Sequence, residues 1–221
     1  ADKASGKVAS IWVDPNASSG ILLAAKNLQS DIHKVTGLTP VIVHDAQTLS
    51  GQVIIIGERG AAAPVDRLFA DGTLSIEENA NQWEGYQLAH VQHPFDGVEQ
   101  AWVISGFDRR GVIYGIYDLS EKMGVSPWYW WADVPVVQRD GVYIAAGSQV
   151  SDAPKVKYRG IFLNDEAPAL TNWTHEKFGG YNATFYRHVF ELLLRSKANF
   201  LWPAMWNNAF ADDDPQNMYL A

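Results

Sequence analysis

The sequence contains no cysteine. That excludes disulfides, thiol catalysis and thiolate-bound metal, but it leaves the compartment open, since an exported protein need not carry disulfides. No apolar run approaches the ~18 residues that span a bilayer, so no membrane-crossing segment is expected. Lys/Arg clusters are missing too. The 17 basic residues are outnumbered by 25 acidic ones, giving a net charge of −8, which argues against a nucleic-acid surface. A nucleotide loop is not supported: Gly106-Phe107-Asp108-Arg109-Arg110-Gly111 fits neither G-x-G-x-x-G nor G-x-x-x-x-G-K-[ST]. There is no G-x-S-x-G nucleophile motif. The six histidines (His33, His44, His90, His93, His175, His188) show no metal-ligand spacing, so neither metal nor another cofactor is expected.

What is present is apolar and aromatic. Of 221 residues, 47% are hydrophobic, which excludes a disordered chain, and nine Trp stand beside nine Tyr and nine Phe. So many rings require an aromatic core or a surface that uses flat faces.

Strands and helices alternate along residues 1–146. Strands are predicted at 7–13, 39–43, 52–56, 83–91 and 101–105. The stretch 52–56 is continuously apolar, as in a strand buried on both faces. Helices are predicted from Ser18 or Ser19 to a stop at Gly37, over 64–70, and from Asp108 to a stop at Gly124. Residues 136–144 read as extended. The result is an N-terminal α/β domain with a mixed sheet. Residues 147–157, small and polar, read as a linker. A strand at 158–163, a helix at 184–197 and a strand at 199–203 then form one βαβ unit within 158–221, and 204–221 reads as a loop. Arg187, Glu191 and Arg195 fall at i, i+4 spacing on the expected outer face of that helix.

Four constellations could carry chemistry. Asn164-Asp165-Glu166 abruptly follows a strand, and in a (β/α) barrel such strand ends hold the active site. A carboxylate there can act as general acid or base or hold a sugar hydroxyl; it can equally start a loop and cap a helical turn. Trp202-Pro203-Ala204-Met205-Trp206-Asn207-Asn208 ends the next strand. Two indoles beside two carboxamides suit a pyranose, and they suit barrel-closing aromatics with an Asn turn as well. Adjacent strand ends bring the two segments together. In the third, Asp108 caps a helix, Gly111 and Gly115 allow close packing, and Arg109 and Arg110 can pair with carboxylates, including a substrate's. The fourth, Trp128-Tyr129-Trp130-Trp131, is a stacking platform or a domain seam. Trp12, Trp83 and Trp102 are expected in the core. Asp212-Asp213-Asp214 lacks the EF-hand pattern and reads as a solvated or helix-capping run.

Several long strings resemble glycoside hydrolase family 115, the xylan α-1,2-glucuronidases. They are Asp108-Arg109-Arg110-Gly111, Tyr114-Gly115-Ile116-Tyr117, the run from Val125-Ser126-Pro127-Trp128 through Trp131-Ala132-Asp133-Val134-Pro135-Val136, Lys157-Tyr158-Arg159-Gly160-Ile161-Phe162-Leu163-Asn164-Asp165-Glu166, and Ala198-Asn199-Phe200-Leu201-Trp202-Pro203-Ala204-Met205-Trp206. The resemblance implies an α/β domain leading into a catalytic (β/α)8 TIM-type barrel. It implies a hydrolase of xylan degradation that removes glucuronic acid or its 4-O-methyl form, α-1,2-linked to xylose in glucuronoxylan, by an inverting two-carboxylate mechanism. Carried over, Glu166 and Asp165 are the catalytic candidates. Asn164, Trp202, Trp206, Asn207, Asn208, Arg109 and Arg110 are the substrate-binding ones, with Arg159 a further cation for an acidic sugar.

The stretch 156–221 is about a quarter of the ~250 residues such a barrel takes. The sequence is therefore expected to be one stretch of a longer polypeptide, inactive by itself, with the remaining barrel and C-terminal domains as its partners. Glucuronoxylan or aldouronic acid oligosaccharides are the expected ligands, and a homodimer is left open. The polar start Ala1-Asp2-Lys3 without Met is read as a processed end, hence a periplasmic or secreted protein; a cut chain would look the same. The alternative is a non-catalytic carbohydrate-binding or scaffold module that uses the aromatics as a glycan platform.

Overall fold

A computed structural model describes residues 1–75 and 83–221. It divides into two compact units, residues 1–155 and 156–221. Among the described residues, no helix is long and apolar enough to cross a membrane.

The first unit is a six-stranded mixed sheet with helices on its faces. In chain order its elements are β1 (Ser10–Val13), α1 (Ser19–Thr36), β2 (Ile42–Val43), β3 (Gly51–Glu58), α2 (Ala63–Ala70), β4 (Tyr86–Gln92), β5 (Val98–Gly106), α3 (Arg109–Met123) and β6 (Ser148–Val150). The strand order is β2-β1-β3-β5-β4-β6. The first four positions run parallel, and β4 pairs antiparallel with β5 and with β6. The apolar run of β3 lies at the centre of the sheet, with Val53 through Gly57 all buried. One set of its side chains, Val53 and Ile55, packs with Trp12, Val103, Val65 and Leu68. On the opposite face, α3 lies so close that a Cβ on Gly115 would come within 2.8 Å of Ile104. A Cβ on Gly111 would meet the Gly85 carbonyl at 2.0 Å. Both glycines are therefore there for close approach.

The helix ends follow the sequence signals. Gly37 and Gly124 stop α1 and α3 in the left-handed conformation. Asp108 caps α3, its Oδ1 accepting from the Gly111 N–H at 2.8 Å, while Oδ2 accepts from the Glu84 N–H at 2.7 Å. Ser18 sits at the start of α1 without a side-chain capping bond.

Several sequence expectations are corrected. Residues 148–150 are not all linker: they form β6, whose backbone bonds complete the open side of β4. Residues 136–144 form no strand, only a bridge between Gly141 and Asp2. Trp83 is 41% exposed rather than core, as expected of a residue in a turn ahead of a strand.

The second unit contains β7 (Gly160–Phe162), α4 (Ala169–Phe178), α5 (Ala183–Arg195), β8 (Phe200–Trp202), α6 (Phe210–Asp213) and α7 (Gln216–Leu220). β7 and β8 pair in parallel. Gly160 faces Phe200 so closely that a Cβ would lie 1.8 Å from its carbonyl oxygen. Three elements lie outside the sequence reading: α4, and α6 with α7 in what read as loop. Asp214 explains part of this, since its Oδ2 accepts from the Ala183 N–H at 2.8 Å and supports the start of α5. Asn182 Oδ1 caps the same helix through the Thr184 and Phe185 N–H groups. The acidic run therefore caps helices. Arg195 is not on an outer face. It is 3% exposed, with Nε donating to Glu191 Oε1 at 2.8 Å, because a buried guanidinium requires an anionic partner. Trp173 joins an aromatic cluster, 5.5 Å from Phe178, with Phe185 and Tyr186 fully buried beside it.

Candidate active site

The site in the second unit is organised by one buried carboxylate. β7 ends at Phe162, and Asp165 follows three residues later, 5% exposed. Its oxygens accept from the Trp206 N–H at 3.0 and 3.3 Å and from Asn208 Nδ2 at 2.6 Å. One side chain therefore ties the segment after β7 to the segment after β8. Its backbone is held as well: Thr171 Oγ1 donates to the Asp165 carbonyl at 2.5 Å and lies 3.1 Å from the Tyr181 hydroxyl. Burial raises the Asp165 carboxyl, but the hydrogen bonds from Asn208, Trp206 and Asn207 outweigh it and hold the group below its ordinary value. It is an anion with its acceptor sites engaged, not a proton donor near neutrality.

The flanking residues face solvent. Asn164, Glu166 and Asn207 are exposed, and Trp206 is 69% exposed. Trp202 is half-exposed, its ring 5.3 Å from Phe162 and its Nε1 2.6 Å from Met205 Sδ. The arrangement therefore offers one solvent-facing carboxylate (Glu166), two carboxamides and two indoles around an ionised anchor. That set can accept hydroxyl protons, donate to ring oxygens and cover an apolar sugar face.

Of the residues singled out in the sequence, Asp165, Trp206 and Asn208 come into direct contact. Arg109 and Arg110 lie in the first unit, in the first turn of α3, where Arg110 Nη1 approaches the buried Glu84 carboxylate at 3.5 Å. Arg159 is not a free cation for an acidic sugar. Its Nε and Nη2 donate to the Lys197 carbonyl at 3.0 and 2.9 Å, and Nη1 donates to the Val156 carbonyl at 2.9 Å. Thr171, in α4, and Tyr181, just after it, carry no motif in the sequence; their contact forms only on folding. Trp130 and Trp131 pack edge to face at 4.9 Å. Among the described residues, no group of three or more His, Asp or Glu side chains could hold a metal ion.

Comparison with known proteins supports a family relationship. The model of glycosyl hydrolase family 115 matches residues 151–221. A solved family 115 4-O-methyl-α-glucuronidase, BtGH115A, with specificity for decorated arabinogalactans, is similar at a TM-score of 0.74 and 29% identity. The match covers 89% of this chain and 25% of that one. The chain thus spans about a quarter of that relative's length. The GH20 β-N-acetylhexosaminidase of Streptomyces coelicolor A3(2) (TM-score 0.45, 15% identity, 87% of this chain and 29% of that one) and CpGH84D (0.49, 11%, 96% and 38%) are more remote. No curated protein sequence matches the chain. The mixed α/β fold is that of a family 115 structure, and the segment with the anchored carboxylate, residues 151–221, is a match to glycosyl hydrolase family 115.

Proposed function

We propose that this chain is part of a glycoside hydrolase that releases glucuronic acid, or its 4-O-methyl ether, from a plant polysaccharide, the α-1,2 linkage to xylose in glucuronoxylan being the expected bond. One observation carries the reading: Asp165 draws the ends of two parallel strands together, so that Glu166, Asn207 and Trp206 gather in one solvent-facing patch. A continuing (β/α)8 barrel would place its strand ends around that patch.

The chemistry follows from the side chains. Glu166 is the carboxyl free to move a proton or activate water, and Trp206 with Asn207 and Asn208 holds a pyranose. Asp165 positions the loops rather than reacting. In an inverting mechanism the second carboxyl acts from the opposite face of the ring, roughly 6.5–9.5 Å away. The adjacent carboxylate, Asp165, does not supply it, because its oxygens are taken by the Trp206 N–H and the Asn208 amide. A polymeric substrate also favours a secreted or periplasmic enzyme.

The test uses the complete polypeptide containing this chain. Glu166→Gln is expected to lower kcat for methylglucuronic acid release from glucuronoxylan by roughly 10²–10⁴-fold, the range of a general acid or base. Near-normal release would remove Glu166 from the chemistry. A second polymer is favoured by the relative's specificity for decorated arabinogalactans. Release from a panel of xylans and arabinogalactans separates the two, and release from arabinogalactan alone would replace the xylan reading.

A further inference from the structure

Glu166 lies on a loop beyond the end of β7, and a reacting carboxyl has to be held to within about 0.5 Å of its productive place. The Asp165–Glu166 peptide is planar, so a bond to the Asp165 carbonyl also orients the N–Cα bond of Glu166 and the origin of its side chain. Thr171, in the first turn of α4, makes that bond: its Oγ1 donates to the Asp165 carbonyl at 2.5 Å. The same oxygen lies 3.1 Å from the Tyr181 hydroxyl. A threonine hydroxyl has one proton, and a carbonyl only accepts. The Thr171 proton is therefore committed to Asp165, and Tyr181 is the donor to Thr171. The bonds from Tyr181 to Thr171 to Asp165 run in one direction, and each polarises and strengthens the next.

The far end of this relay stands on a fixed support. Tyr181 is buried, its ring edge-on to Phe185 at 5.3 Å, and its carbonyl accepts from Asn217 Nδ2 at 3.3 Å. Asn217 is fully buried too, and the same nitrogen donates to the Phe210 carbonyl at 2.7 Å. A phenylalanine would fill the aromatic cluster equally well; what the Tyr181 hydroxyl adds is the bond to Thr171. The peptide that carries Glu166 is thus held from two sides. The Asp165 carboxylate ties it to the Trp206 and Asn208 segment, and the Asp165 carbonyl ties it to the hydroxyl pair.

We propose that Thr171 and Tyr181 are positioning residues for Glu166: the hydroxyl pair clamps the Asp165–Glu166 peptide and thereby fixes where the Glu166 carboxyl meets the substrate. The proposal rests on the role given to Glu166 above and adds the residues that hold it in place.

The test uses the complete polypeptide containing this chain, with kcat and KM for uronic acid release from aldouronic acid oligosaccharides as readout. Thr171→Val keeps the branched side chain and removes the donor. It is expected to lower kcat about tenfold with KM within about twofold, as for a displaced reacting group on an intact binding surface. Thr171→Ser should restore most of kcat. Tyr181→Phe should lower kcat by less, and adding it to Thr171→Val should lower kcat no further, because the two hydroxyls act as one unit. A hydroxyl pair with a purely structural role would lower the melting temperature and leave kcat of the folded protein unchanged, and that result overturns the proposal. A loss carried by KM, or one that Thr171→Ser does not restore, overturns it as well. If Thr171→Val does not fold, Tyr181→Phe decides by the same measure of kcat. Glu166→Gln separates the two readings. Near-normal activity in that variant removes the role of Glu166 and the clamp with it, whereas lost activity there beside wild-type kcat in Thr171→Val overturns the clamp alone.

Discussion

The two units use the same alternation of strand and helix with opposite outcomes. In the first, β3 is covered on both faces: Ile55 and Ile56 are 0% exposed, and glycines at 111 and 115 let α3 settle against the sheet. In the second, β7 and β8 leave Phe162, Phe200 and Trp202 each about half-exposed, while the buried apolar residues sit on α5. A two-stranded sheet is marginal by itself. The second unit holds its strands by polar means instead: the Asp165 carboxylate, the Arg159 guanidinium on the Lys197 carbonyl, and the close approach at Gly160. The sheet of the first unit is held by apolar burial, the two strands of the second by polar anchors, and those anchors lie in the segment that matches the family.

That contrast can be broken by substitution. The largest effect is expected at the sheet centre: Ile55→Ala should cost about 3 kcal/mol through lost burial and a cavity, read by urea denaturation. Asp165→Ala comes next, at about 2–3 kcal/mol, because it strands the Trp206 N–H and Asn208 amide without their acceptor. Asp165→Asn adds a pH signature. The wild-type group has a lowered folded pKa, so its contribution is complete above the ordinary carboxylate value near ~3.9 and is lost as pH falls through the lower folded value. Thermal melts of wild type and Asp165→Asn should therefore converge on acidification, and a constant gap from neutral to strongly acid pH would deny the ionised anchor. Asp108→Ala should cost about 1 kcal/mol as a lost helix cap. Smallest is Phe162→Ser on the exposed face of β7, expected within about 0.5 kcal/mol. A loss there as large as at Ile55 would mean that the two units are organised alike.

Legibility in the sequence followed locality. The continuous apolar run of β3, the Gly37 and Gly124 stops and the Asp108 cap are signals within a few residues of their effect, and they were readable. β6 is hidden in the sequence because its three residues, two of them polar, gain their structure from a partner some sixty positions earlier, Gln87 facing Val150. Arg195 followed the outer-face spacing of its helix, yet tertiary packing buried it. The segments around Asp165 and Trp206 were correctly brought to adjacent strand ends. The division of labour between Asp165 and Glu166 was not legible, since it depends on donors 41 and 43 residues downstream. α4 carries Thr171, whose only cue is a hydroxyl in the right place after folding.

The short strand β6 has one more effect, on colloidal behaviour. β4 would otherwise offer an unpaired backbone edge next to the apolar strands β5 and β3, a template for pairing with another chain. Three exposed residues, Ser148, Gln149 and Val150, occupy that edge, and Lys122 Nζ donates to Gln149 Oε1 at 2.5 Å beside it. A polypeptide released or cleaved before residue 148 keeps the hydrophobic interior of the first unit but exposes the β4 edge, and it should form sheet-linked oligomers at concentrations where the longer chain stays dispersed.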